Sequence, residues 1–267
     1  REIDSREDIF ITVLTGKGRF FSAYVIHSPA LDIPQHIPKR KLDKISMSNT
    51  HAFSSGADVT SVRPGGDDTN PNVRRELVKG FVANNVDVTR TFYNHSKILV
   101  VALNGPAVGL SAALVAHADF IYAAPHTFLL TPFSSLGLVA EGGASRAFVE
   151  RLGVAKANEA LIMSKRISCE ELVSTGFVNK VITPESGKKE DSDGFLKKVL
   201  EEVDDRLGTH LNQSSLLKIK ELVRRPEREL LDRQNGLEAF MGLERFMKGT
   251  PQEEFRRLAS GEKRHKL

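Results

Sequence analysis

A single cysteine, Cys169, in 267 residues leaves no internal disulfide and no cysteine-rich zinc site, and it fits a reducing compartment. The eight histidines show neither H-E-x-x-H nor any other metal-ligand spacing, so no metal is expected. No apolar run reaches about 18 residues, which argues against a membrane-spanning helix. Neither G-x-x-x-x-G-K-S/T nor G-x-G-x-x-G is present, so no dedicated phosphate or dinucleotide loop is expected. Basic side chains number 38 against 34 acidic, a formal charge of +4. That excess is too mild and too dispersed for nucleic acid, whose partners carry a concentrated basic stripe. It suits an anionic small molecule. The chain opens at Arg1 with neither an initiator methionine nor a signal-peptide pattern, as a fragment would.

What is present is an ordinary globular balance, 40% hydrophobic and 27% charged. "IFITVLTG" (Ile9 to Gly16) and "KILVVALNG" (Lys97 to Gly105) read as strands, the second apolar enough to be covered on both faces. A helix begins near Gly109 in "PAVGLSAALVAHA". "DFIYAAPHTFLL" reads as strand material with a turn around Ala124 to His126. Helical patterns cover Gly143 to Leu152, Lys156 to Ser164 and Cys169 to Thr175, and "FVNKVI" (Phe177 to Ile182) reads as a short strand. Past Pro184 the chain turns helical and charged: Phe195 to Leu207, Leu211 to Val223, Glu227 to Met247 and Glu253 to Leu258. Their charges read as solvated faces, and their apolar stripes suit packing on the first part of the chain or on another subunit. The implied organisation is an α/β core over 1–184 and a helical region over 185–267.

Three glycine-containing stretches offer chemistry: "SSGAD" (Ser54 to Asp58), "NGPAVGLSAAL" (Asn104 to Leu114) and "LGLVAEGGAS" (Leu136 to Ser145). Glycine turns expose backbone N–H groups, and two aimed at one point can stabilise an oxyanion. In the third stretch Glu141 sits between an apolar run and two glycines. Its plainest role is a carboxylate near a helix N-terminus. Placed in a nonpolar pocket, its pKa would rise toward working pH and fit it for proton transfer. Asp119 reads as structural, and His117 and His126 as polar edge residues.

In order and spacing these stretches, with "TGKGRFFS" before them, resemble the crotonase (enoyl-CoA hydratase/isomerase) superfamily. "FVANNV" (Phe81 to Val86), "NHSKILVVALNGPAVGLSAALVA" and "LGLVAEGG" are similar to the branch of fungal peroxisomal Δ3,Δ2-enoyl-CoA isomerases. The resemblance implies a crotonase-like spiral of ββα repeats with a C-terminal helical trimerisation region, assembled as a homotrimer or hexamer. It implies an acyl-CoA thioester as substrate and no separate cofactor, since CoA enters with the substrate. It assigns the oxyanion hole to the N–H groups of Ala57 and Leu110, the base to Glu141 and an orienting role to Asn85. Ser55, Gly56, Asp58, Gly109 and Phe133 fall where substrate is bound; Asp58 also suits a cap. The two glutamates of hydratases fall at Ala113 and Phe133, so hydration is not expected. The alternatives carried are a dienoyl-CoA isomerase, which would want a second acid near Glu141, a weak hydratase, or an inactive crotonase-like subunit.

The tail His265-Lys266-Leu267 resembles a type 1 peroxisomal signal, a looser form of Ser-Lys-Leu read by an import receptor. The chain departs from the family pattern twice. Part of the first repeat, before Ile9, is missing. And 23–54, with three prolines, Lys39-Arg40-Lys41 and no sustained period, interrupts the approach to Ala57; without it the flanks join as "GRFFSSGADV". Foreign sequence, such as an unspliced intron, and a genuine surface insertion both fit that observation.

Overall fold

The computed structural model describes residues 6–16, 24–29 and 71–264. Two small sheets organise them. The first has five strands in the order β2-β1-β3-β5-β8: β1 (Ile9–Thr15), β2 (Tyr24–Pro29), β3 (Ile98–Leu103), β5 (Phe120–Ala123) and β8 (Lys180–Val181). The second has three, β4 (Ala107–Val108), β6 (Phe128–Leu130) and β7 (Ile167–Ser168). β3, β4 and helix α3 (Leu110–Val115) form one repeat; β5, β6 and α4 (Ala144–Leu161) form the next. Each repeat sends its first strand to one sheet and its second to the other. β3 pairs parallel with β5, and β4 parallel with β6. The expected spiral of ββα repeats is therefore the observed architecture.

β3 is buried along its whole length, as its unbroken apolar sequence requires. Its residues alternate between two cores. Leu99, Val101 and Leu103 face the interior of the spiral with Phe133, Phe148 and Phe177. Ile98, Val100 and Ala102 face the other way, against Phe195, Val199, Val203 and Leu207. Those four recur every four residues along α6 (Ser192–Leu207), so one helix covers the sheet with one stripe. Each such side chain contributes about 1.5–3 kcal/mol by leaving water.

The C-terminal helices continue with α7 (Gln213–Arg224), α8 (Arg228–Met247) and α9 (Thr250–Ala259). Ala239, Leu243 and Phe246 of α8 form a third core with Leu77 and Val82. Those two belong to α1 (Pro71–Leu77), a π-helical turn (Val78–Val82) and α2 (Ala83–Tyr93), which run as one column. This column was not read from the sequence. The π turn inserts a residue, so the buried positions Leu77 and Val82 are five apart. Beyond it the buried side is held by Asn85, Thr89 and Tyr93, which carry little apolar signal.

Three other expectations shift. The two helices read at 143–152 and 156–164 are one element broken at Gly153. Strand pairing at 177–182 is confined to β8, while Phe177 and Val178 pack in the core. Within 23–54, read as having no sustained period, lies a strand not expected there, β2, which pairs antiparallel with β1 along the sheet edge.

Candidate active site

Glu141 lies in the turn between a 3-10 helix (Ser134–Leu136) and α4. Gly142 and Gly143 that follow have φ of +72° and +73°, the left-handed region glycine adopts without penalty. Space demands glycine as well. A Cβ on Gly142 would stand 2.8 Å from Ala113 Cβ and 2.9 Å from Leu110 Cδ1. The turn therefore presses against the opening of α3. There Gly109, the N-cap, has φ +65°, and Leu110 is the first helical residue, whose N–H has no partner within the helix.

Asn85 of α2 faces Glu141 across this junction. Its Nδ2 donates to Glu141 Oε2 at 3.3 Å, although 56 residues separate them. Asn85 is 6% exposed. Its Oδ1, and Thr89 Oγ1 one turn further on, are buried without a hydrogen-bond partner among the described residues. Such unsatisfied groups are few in native proteins and gather where function tolerates them.

His117, expected at a polar edge, is instead enclosed beneath the turn, where its Nε2 meets the Gly142 carbonyl at 2.8 Å. A carbonyl only accepts, so Nε2 carries the hydrogen. Burial holds the pKa down to about 4, the Gly142 bond opposing it, so the ring is neutral near pH 7. A Cβ on Gly143 would come within 3.0 Å of that ring. The carbonyls around His117 are taken by arginines: Arg151 donates to Ala116 O and Ala118 O, and Arg224 to His117 O and Ala118 O. Asp119 joins this frame, accepting from Leu99 N–H at 2.8 Å and pairing with Lys220 and Arg224.

The structure thus brings Glu141, Asn85, Leu110 and Gly109 together. Phe133, expected to bind substrate, is enclosed in the core at 2% exposure. Ala113 is fully buried too. Ser55, Gly56, Ala57 and Asp58 lie outside the described residues, as do His265, Lys266 and Leu267. Among the described residues no group of three His, Cys, Asp or Glu is arranged to hold a metal, and no helix is long and apolar enough to cross a membrane.

Sequence reasoning missed one carboxylate. Glu238, on a helix whose charges read as solvated, is 6% exposed and accepts from Gly143 N–H at 2.7 Å and Ser145 N–H at 2.8 Å. Burial pushes its pKa up, and these bonds oppose the rise. The signal was its register: it falls on the α8 face that also carries Leu231, Asn235, Ala239 and Gly242, all buried.

The family model described as enoyl-CoA hydratase/isomerase matches residues 45–207. A Delta(3,5)-Delta(2,4)-dienoyl-CoA isomerase of Pyricularia oryzae is 55% identical over all 267 residues, covering 86% of that protein. A 3,2-trans-enoyl-CoA isomerase of Saccharomyces cerevisiae is 37% identical over 228 residues, 84% of this chain and 80% of that one. Among solved structures, an enoyl-CoA hydratase from Bacillus halodurans superposes with a TM-score of 0.69 at 15% identity, over 95% of this chain and 83% of its own.

Proposed function

The chain belongs to the enoyl-CoA hydratase/isomerase family, and from that premise we propose that it is an isomerase that moves the double bond of a 3-enoyl-CoA to the trans-2 position, with Glu141 as its base. The observation that carries this reading is the Asn85–Glu141 contact, set where the glycine turn meets the opening of α3. Thioester carbonyls acidify the hydrogen on C2. The Glu141 carboxylate removes it, and the electron pair delocalises onto the thioester oxygen as a dienolate. The N–H groups of Leu110 and Ala57 are the donors assigned to that oxygen; preorganised donors of this kind stabilise charge as it develops. The protonated Glu141 then delivers the proton to C4, two bonds from where it was taken, and returns to the carboxylate. Atoms and charge balance with no added redox partner. Asn85 Nδ2 holds one carboxylate oxygen in place between the two transfers.

Hydration is set aside because, on the family resemblance, the two glutamates of hydratases fall at Ala113 and Phe133. A second reading, dienoyl-CoA isomerisation, is favoured by the 55% identical relative of that name. That reaction takes a proton from C2 and returns one to C6, four bonds apart, a longer reach for one carboxylate. Turnover of a 3-enoyl-CoA and a 3,5-dienoyl-CoA by the same preparation separates the readings. We expect kcat/KM at least ten-fold higher on the 3-enoyl thioester; the reverse order would move the assignment to the dienoyl reaction, and turnover of neither would withdraw both. The peroxisomal setting in fatty-acid β-oxidation belongs to the same proposal, and a fluorescent reporter ending in His265-Lys266-Leu267 tests it by entering peroxisomes or staying outside.

A further inference from the structure

Helix α4 opens in a way that its own sequence cannot complete. A helix N-terminus is ordinarily satisfied by a Ser, Thr, Asp or Asn side chain at the N-cap. Here the N-cap is Gly143, fixed as glycine by its φ of +73° and by the His117 ring against it. No side chain at that position reaches the free N–H groups. The missing acceptor comes from 95 residues away: the two oxygens of Glu238 take the N–H groups of Gly143 and Ser145 separately. A carboxylate there also meets the positive end of the α4 dipole. Gln234, on the same helix as Glu238, donates to Ser145 Oγ at 3.3 Å.

One turn from Glu238 on the same face of α8 is Asn235, 2% exposed, whose Nδ2 donates to the Val86 carbonyl at 3.0 Å. Val86 follows Asn85 directly. α8 thus grips both halves of the Asn85–Glu141 contact: the backbone beside Asn85 through Asn235, and the turn bearing Glu141 through Glu238. Tyr93 strengthens the join, its hydroxyl donating to Asp232 at 2.6 Å while its ring packs edge-on against His117.

We propose that Asn235 and Glu238 are positioning residues, a two-point clamp on α8 that fixes the distance between Asn85 and Glu141. The inference rests on the base role proposed for Glu141. The clamp touches no reacting atom; it acts through the turn. A displacement of about 1 Å at a catalytic group can cost on the order of 10²-fold in rate, so a clamp of this kind is read in kcat and not in substrate affinity.

The test uses the full chain with Glu238→Gln, which keeps the shape and one acceptor, and Glu238→Ala, which removes both. Rates are expressed per folded molecule, from circular dichroism, so that loss of folded protein does not count as loss of turnover. We expect kcat to fall in the order wild type, Gln, Ala, by about ten-fold for the first step, with KM within two-fold. Deuterium uptake into the segment 141–147 should rise in both variants. Unchanged kcat per folded molecule, or a change confined to KM, would overturn the clamp. Should wild type turn over neither thioester, the proposed function fails on its own, and deuterium uptake still decides the clamp: uptake in 141–147 equal to wild type overturns it, and faster uptake supports it.

Discussion

Glu141→Gln is expected to lower isomerase kcat by about 10²–10⁴-fold, the range that positioned proton transfer supplies. The substitution removes the carboxylate proposed as the base. Gln has nearly the same size, and the turn it sits on is held by bonds to Gly142 O, Gly143 N–H and Ser145 N–H that do not involve the side chain. Folding and thioester binding should therefore persist, and the loss should appear in kcat with KM little changed. An amide neither removes a C2 proton nor holds one for C4, so both transfers fail together. Retention of more than a tenth of wild-type turnover would place the base elsewhere.

Gly142→Ala carries the largest expected cost to stability, about 2–5 kcal/mol. Two contributions add. An L-residue at φ +72° is strained by about 1–2 kcal/mol. Forcing a methyl into a filled site costs about 1–3 kcal/mol more. Its nearest neighbour would be Ala113 Cβ at 2.8 Å, which is fixed to the α3 backbone and has no rotamer to yield. Leu110 Cδ1 at 2.9 Å can turn away, but only by disturbing the residue whose N–H is assigned to the oxyanion hole. In thermal melting this corresponds to a fall in Tm of about 4–10 °C for a chain of this size. Gly176→Ala is the comparison: its φ is +77°, with nothing within 4 Å of the added Cβ, so only the backbone part is expected, about 1–2 kcal/mol. Equal losses at the two positions would show that close packing at Gly142 contributes nothing.

Glu141 could be found from sequence because it breaks a local rule, a charge set between an apolar run and two glycines. β3 could be found because a strand covered on both faces has no polar positions to blur it. The glycines of the turn were visible too, although their reason, the approach of Ala113 and His117, appears only in three dimensions. Asn85 carried no such local signal; its place came through the resemblance of "FVANNV", and the helix that bears it was hidden by the π turn. Glu238 was misread for a general reason. A glutamate on an amphipathic helix normally faces water, and composition does not distinguish the rare one on the buried face. Its register with Leu231 and Asn235 does, once the cap it supplies to α4 is known to be missing. His117 was misplaced because a buried neutral histidine and an exposed one look alike in sequence; only the carbonyl of Gly142 tells them apart.

In the proposed reaction one carboxylate both takes the C2 proton and gives it to C4. Deuterium placed at both C2 positions of a 3-enoyl-CoA, turned over once in ordinary water with enzyme in excess, tests it most directly. A single turnover keeps product from re-entering the site and losing label by reversal. Deuterium is expected at C4 of the trans-2-enoyl product, and is expected to be absent when Glu141→Gln replaces the enzyme. Product carrying only solvent hydrogen at C4 after one turnover would contradict direct transfer of the C2 hydrogen by Glu141.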